Sequence, residues 1–148
     1  MKITLLVVVT AIFGIQLHPL NAASEADDQV AGRWYTESYV RIGQRVYEQN
    51  CQACHGNQGQ GLTDNWKKTL ADGSYPPPPL NGTAHTWHHP MSILLRTIKK
   101  GGKDLGGKMP AFADKLSNAE KIAVVAYFQS WWSDDIYAAW EQRGGLNQ

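Results

Sequence analysis

Six consecutive residues, Cys51-Gln52-Ala53-Cys54-His55-Gly56, constrain this chain more than any other feature. The C-x-x-C-H pattern is the spacing of a covalent haem c attachment site. If the stretch closes a helix, Cys51, Cys54 and His55 stand at i, i+3 and i+4 and share one face. Two thiols one turn apart can then bond the two vinyl groups on one edge of a porphyrin. The imidazole beside them points at the iron from the same side. Other chemistries fit these residues less well. A zinc site wants about four ligands, usually with a second Cys pair, and the chain holds 2 cysteines in all. A thioredoxin-like C-x-x-C belongs in a βαβ pattern, and no strand-rich pattern surrounds this one. A disulfide between residues three apart would leave His55 unexplained. The expected cofactor is therefore one covalently bound haem c, attached through Cys51 and Cys54, with His55 as an axial ligand of the iron.

The length of 148 residues and 43% hydrophobic content suit one globular domain. The first residues read differently. Lys2 precedes an apolar, uncharged run from Ile3 to Leu17, small residues follow at Ala22 and Ala23, and a polar stretch begins at Ser24-Glu25. Basic, apolar, then small is the order of a secretory signal peptide, and the run is shorter than the roughly 20 residues of a spanning helix. Residues 1–23 are thus expected to be a cleaved signal peptide, with an uncleaved N-terminal anchor as the alternative. Both put the haem domain outside the cytoplasm, in a periplasmic setting. Removing residues 1–23 takes away one Lys and no acid, which leaves Lys+Arg and Asp+Glu equal in number. A neutral chain argues against nucleic acid as a partner.

Residues 24–35 read as a flexible leader, acidic and aperiodic. From about Thr36 the pattern is helical, with Val40, Gly43 and Tyr47 forming a stripe that leads to Cys51. Gly43 costs roughly 1 kcal/mol relative to Ala in a helix interior, which predicts another helix crossing closely there. Gly56 to Pro79 reads as a long irregular segment with one helical turn near Trp66 to Leu70, since its glycines and four successive prolines forbid a long regular element. His89-Pro90 opens the next helix, with Pro in its first turn, and Gly101-Gly102 stop it. Ser117-Asn118-Ala119-Glu120 is a capping box ahead of the clearest helix, apolar widely enough to touch both the first helix and the haem. Asp134 to Arg143 predicts a short extra helix whose Ile136, Tyr137 and Trp140 fold back onto the body.

The sixth position of the iron decides what such a haem does. A Met thioether there closes the site, raises the potential and leaves electron transfer. Among the 3 methionines, Met1 goes with the signal peptide and Met91 falls in the first turn of a predicted helix. Met109 sits in a Gly-rich loop before Pro110, far enough from His55 in sequence to reach the opposite face of the haem. It is the favoured second axial ligand.

At this point the residues resemble the class I c-type cytochromes. Gly43, Tyr47, Cys51, Cys54, His55 and Gly56 look like that family's first helix and haem motif. Pro78-Pro79-Leu80-Asn81-Gly82 resembles its P-x-L-x-G segment, Met109-Pro110-Ala111-Phe112 its distal loop, and Val124 through Trp131 its C-terminal helix. The matches run in the family's order from about residue 36 to 132. The resemblance implies an all-α, cytochrome c-like fold of a few helices wrapped around one haem. It also implies that the Pro78 carbonyl accepts a hydrogen bond from the His55 Nδ1–H. The long Gly59–Pro77 segment, the His-rich stretch after Gly82 and the aromatic C-terminal extension depart from the family pattern.

Two features lie outside the motif. His85, His88 and His89 fall within five residues. Clustered imidazoles suit copper, but three histidines without a carboxylate or thiolate make a poor dedicated site. The preferred reading is a polar loop over the haem edge, with Trp87 or a histidine donating to a haem propionate. Arg96, Lys99, Lys100, Lys103 and Lys108 precede Met109 with Asp104 alone opposing them, whereas acids gather at Glu25 to Asp28 and Asp134 to Glu141. This is either a dipole that steers docking or a set of solvated lysines.

These readings combine into an exported mono-haem one-electron carrier. The haem domain covers residues 36–133 and the C-terminal extension 134–148. The expected partners are redox proteins, with no nucleic acid and no small-molecule substrate, and a membrane only if the N-terminal segment is retained. A monomer without enzymatic acid–base residues is expected. The alternatives are a haem enzyme or gas-binding protein with a labile sixth ligand, a metal-handling protein, and a fixed haem subunit of a respiratory or dehydrogenase complex.

Overall fold

Local sequence accounts for most helix ends in the computed structural model, which describes residues 28–147. The expected signal peptide and the first residues of the leader lie outside these. Helix α1 (Glu37–Asn50) starts at Thr36, whose extended backbone and Oγ1, accepting the Tyr39 N–H at 3.2 Å, make an N-cap. Cys51 ends α1 and begins the one-turn helix α2 (Gln52–His55). Gly56 closes α2 at φ 81°, a conformation glycine adopts freely. No helix follows until a 3₁₀ turn at His85–His88, then α3 (Met91–Lys100) and a 3₁₀ turn at Lys103–Leu105. Helix α4 (Asn118–Gln129) begins with the expected capping box: the Ser117 Oγ accepts the Glu120 N–H and the Glu120 carboxylate accepts the Ser117 N–H. Helix α5 (Asp134–Gln142) is capped by Ser133. Among the described residues there is no strand beyond two isolated bridges, Gln29 with Thr36 and Tyr75 with Gly107, so the all-α expectation holds.

Helices α1 and α4 cross at Gly43, as its place in the stripe predicts. A methyl group there would sit 2.6 Å from the Ala123 carbonyl carbon and 2.8 Å from Tyr127 Cβ. Helix α4 is apolar on nearly all sides because it serves two cores at once. Val124 packs with Val46, Tyr47, Phe112 and Leu116. Val125, Ala126 and Phe128 pack with Tyr35, Leu94, Trp132, Tyr137 and Trp140. A helix buried on this much of its circumference belongs at the centre of the molecule. Lys121, although charged, is also buried, its Nζ donating to the Leu116 carbonyl at 2.7 Å.

Three expectations are corrected. The leader is not loose from Asp28 onward: Tyr35 is 1% exposed, the Trp34 Nε1–H donates to Gln129 Oε1 at 2.7 Å, and Arg33 pairs with Asp134 at 2.7 Å. Burying such aromatic surface outweighs the entropy lost in ordering the segment. The helical turn near Trp66 to Leu70 is instead one hydrogen-bonded turn, Lys68 N–H to Asn65 carbonyl. Pro90 is the N-cap of α3 and not a residue of its first turn. It offers no side-chain cap, and the Met91 N–H is taken instead by the Gly145 carbonyl at 2.7 Å. The C-terminal extension thereby closes the end of α3.

Candidate haem-binding site

A cavity of about 540 Å³ opens between α2, the Pro76–Leu80 segment, α3, the Met109 loop and α4. That volume falls within the usual range of cofactor pockets. Cys51, Cys54, His55, Pro78 and Met109 all line it. Four of the five come from two stretches more than twenty residues apart in sequence, and Met109 from a third. His55 is 8% exposed, with Nδ1 3.0 Å from the Pro78 carbonyl oxygen. A carbonyl can only accept, so Nδ1 carries a proton, and in the neutral ring Nε2 then has the lone pair free for a metal. Burial pushes the His55 pKa down, and the Pro78 contact acts against that shift. Burial thereby favours the neutral imidazole, the form that ligation requires. Burial also pushes the Cys51 thiol up to about 11, with Cys54 adding to the shift.

The Pro78–Leu80 segment is held by three successive carbonyls. Pro78 accepts from His55, Pro79 from the Thr86 Oγ at 2.9 Å, and Leu80 from the Trp132 Nε1–H at 2.7 Å. Prolines 78 and 79 have no N–H to offer, so only their carbonyls can tie this strap down. From the other side Gly59 accepts the Leu80 N–H at 2.6 Å, and the Gly61 N–H donates to the His55 carbonyl at 2.8 Å. Gly59 itself, at φ 64°, lies so close to Trp131 that a methyl group would meet the indole at 2.5 Å. Tyr47, fully buried, donates its hydroxyl to the Gly56 carbonyl at 2.7 Å and fixes the end of α2 against α1. Across the cavity the Met109 carbonyl accepts the Gly102 N–H at 3.0 Å, which closes the Lys-rich loop on itself. Met91, by contrast, packs into the core around Trp132 and does not line the cavity.

Trp87 is not among the lining residues; its ring lies beneath Arg143, 5.2 Å from the guanidinium carbon. The 3₁₀ turn at His85–His88 rotates successive side chains about 120° apart, so His85 and Trp87 diverge. His85 does line the cavity, stacked on Trp66 at 4.5 Å between ring centroids. Trp66 carries no local signal in the sequence, because only the return of the long loop brings it to His85. Among the described residues no group of three His, Cys, Asp or Glu side chains is arranged to hold a metal ion.

The donor set fits a haem c: two thiols and an imidazole from one helical turn, a thioether from a distant loop, and a largely apolar lining around them. Residues 39–128 match the family described as cytochrome C oxidase, cbb3-type, subunit III. The chain belongs to that family. The matched region runs from α1 nearly to the end of α4 and is a class I c-type cytochrome domain with a cytochrome c-like helical fold. Two curated relatives, both named cbb3-type cytochrome c oxidase subunit CcoP and both from Rhodobacter capsulatus, are 28% identical over 109 residues. The alignments cover 69% of this chain and 32% of each relative, so the chain spans about a third of their length. No solved structure matches the chain. Membership of the cbb3-type subunit III family makes haem c the cofactor and electron transfer the chemistry. No helix among the described residues is long and apolar enough to cross a membrane.

Proposed function

We propose that this chain is a mono-haem, one-electron relay of an exported respiratory chain that delivers electrons to an oxidase of the kind its relatives' name describes. The observation that carries this reading is the convergence of Cys51, Cys54, His55 and Met109 on one cavity. When bound, haem c supplies a one-electron Fe(III)/Fe(II) couple. Cys51 and Cys54 would hold the group through thioethers, His55 Nε2 and Met109 Sδ would ligate its iron, and Pro78 would fix the His55 tautomer. Phe112, Leu116 and Val124 line the cavity with apolar surface, which keeps water from the iron and limits reorganisation. No side chain is assigned acid–base work. Residues 1–23 are read as the export signal. The exposed Lys99, Lys100 and Lys103 offer a basic face to an acidic redox partner. A relay fixed within a larger oxidase assembly is the second reading, favoured by the relatives' being named as oxidase subunits.

The test is an optical spectrum of the purified exported protein, oxidised and reduced, with and without carbon monoxide. One acid-stable haem per chain and a low-spin spectrum unchanged by the gas are expected. A chain without acid-stable haem would overturn the attachment, and a carbon monoxide shift would overturn Met109 ligation in favour of ligand binding. Reoxidation of the reduced protein by a cbb3-type oxidase under oxygen tests the partner. Failure of that step alone leaves the haem assignment standing and removes the oxidase.

A further inference from the structure

The long Gly59–Pro77 segment departs from the family pattern, and most of it takes no part in the strap of carbonyls. Its final residues cross to the loop that carries Met109. The Tyr75 N–H donates to the Gly106 carbonyl at 2.9 Å, and Tyr75 and Gly107 form an isolated parallel bridge. The Asp72 carboxylate pairs with the Lys108 ammonium, one residue before Met109. The Tyr75 ring covers Gly106 so closely that a methyl group there would meet it at 3.2 Å. Tyr75, Gly107, Lys108 and Met109 all line the cavity, whereas Asp72 stands outside it.

Asp72 is set in place by its own turn. The Gly73 N–H donates to the Leu70 carbonyl at 2.9 Å and the Leu70 N–H to the Ser74 carbonyl at 2.8 Å. Gly73 supplies the left-handed residue such a turn needs, at φ 81°. Asp72 Oδ1 accepts the Ser74 N–H at 3.0 Å, which leaves Oδ2 to face Lys108. Lys108 first, and then Ser74, hold the Asp72 carboxyl well below the usual carboxylate range. The loop on the other side is built from weaker material. Gly101, Gly102, Gly106 and Gly107 fall between α3 and Lys108, and glycine loses more freedom on ordering than any other residue. The base of this loop is closed by the Gly102 N–H on the Met109 carbonyl and the Gly107 N–H on the Gly102 carbonyl, both at 3.0 Å. Its far end is met by Tyr75 and Asp72.

We propose that the Asp72–Tyr75 turn is a clasp on the Gly-rich loop, with Asp72 a positioning residue that keeps the Met109 thioether at the iron against competing small ligands. The proposal rests on the reading of Met109 as the sixth ligand. A competing ligand binds only in the fraction of molecules whose loop has swung away, so its apparent affinity scales with that fraction. Weakening the clasp enlarges the fraction without touching a group that holds the haem. The two side chains of the ion pair are 48% and 67% exposed, so the effect is modest and is screened by salt. Asp72→Asn isolates it, because the amide keeps an acceptor for Ser74 and loses only the charge that faces Lys108.

The experiment titrates the oxidised, haem-loaded protein with imidazole at low and high salt, at a pH where imidazole is neutral. At low salt Asp72→Asn binds imidazole about 2- to 5-fold more tightly than the native chain, the span expected of an exposed pair. Salt tightens imidazole binding by the native chain and leaves that of Asp72→Asn unchanged. Lys108→Arg keeps the pair and the native affinity. Hydrogen exchange gives a second readout, faster at the Tyr75 and Gly102 amides of Asp72→Asn than in the native chain. Asp134→Asn breaks the Arg33 pair at the start of α5 and serves as the control for general loosening; it changes neither readout. An Asp72→Asn affinity equal to the native one, a native affinity indifferent to salt, or an equal gain in Asp134→Asn overturns the proposal. Met109→Ala separates this outcome from failure of the underlying reading. If Met109→Ala binds imidazole no more tightly than the native chain, Met109 is not the sixth ligand. If it binds far more tightly while Asp72→Asn does not, the ligand stands and the clasp falls.

Discussion

Replacing Gly43 by Ala tests whether the α1–α4 crossing is as close as the structure has it. An added Cβ would stand 2.6 Å from the Ala123 carbonyl carbon, besides colliding with the carbonyl oxygen. Carbon atoms pack at about 3.5 Å and the carbonyl oxygen lies closer still, so the helices must part by at least roughly 0.9 Å at this point. The atoms struck belong to the backbone of α4 and cannot rotate aside. Overpacking of this kind costs about 1–3 kcal/mol, and contact with main chain puts it at the upper end. Against this, Ala gains about 1 kcal/mol over Gly in a helix interior. The net expectation is a destabilisation of about 2 kcal/mol, or a fall in Tm of about 8 °C at roughly 4 °C per kcal/mol for a domain of this size. The assay is denaturant unfolding of the haem-loaded protein, with Gln49→Ala at an exposed position of the same helix as control. The midpoint should drop for Gly43→Ala with an unchanged slope and stay put for the control. A Gly43→Ala variant as stable as the native chain, or more so, would refute the close crossing, because helix propensity alone would then be deciding the outcome.

Trp132→Phe keeps most of the buried ring but leaves the Leu80 carbonyl without the donor it now has at 2.7 Å. Stability should fall by about 1–3 kcal/mol in the same unfolding assay, and an unchanged midpoint would mean the strap does not depend on that bond. Asp28 is held below its usual pKa first by the Ser38 side chain and also by the Ser38 N–H and Arg41. A folded pKa below the unfolded one means that its contribution is present above the ordinary aspartate pKa of about 3.9 and is lost as pH falls through the folded value. Asp28→Asn should therefore flatten the acid limb of the stability–pH curve, and an unaltered limb would show the carboxylate to be unimportant. Reversing Lys99, Lys100 and Lys103 to Glu should slow electron transfer with an acidic partner at low salt and invert its salt dependence. Rates that ignore ionic strength in the native chain would dismiss the steering.

Helix starts were readable because their causes are local. Thr36 and Ser117 cap the helices that immediately follow them, and the spacing of Cys51, Cys54 and His55 places them on one turn whatever lies around them. Gly43 was half-readable: its cost in a helix announced a close neighbour but not which one. The order of Val30, Trp34 and Tyr35 in an acidic stretch looked like a loose leader. Their burial depends on α5, which lies about a hundred residues away and meets them through Tyr137 and Asp134. Trp87 and Trp66 show the same limit from the side of the site. Both are aromatic residues in irregular stretches, and which of them reaches the cavity depends on the rotation of a 3₁₀ turn and the path of the long loop.

The amino-acid order thus sufficed for the haem c chemistry, the helical class and the gathering of Cys51, Cys54 and His55 on one turn, since each follows from contacts within one or two turns of chain. The strap of three carbonyls, the partner of Gly43, the packed residues before α1 and the environment of His85 come from pairs separated by tens of residues. A one-dimensional pattern carries the price of burying a group but not the identity of what covers it, and only the folded chain supplies that.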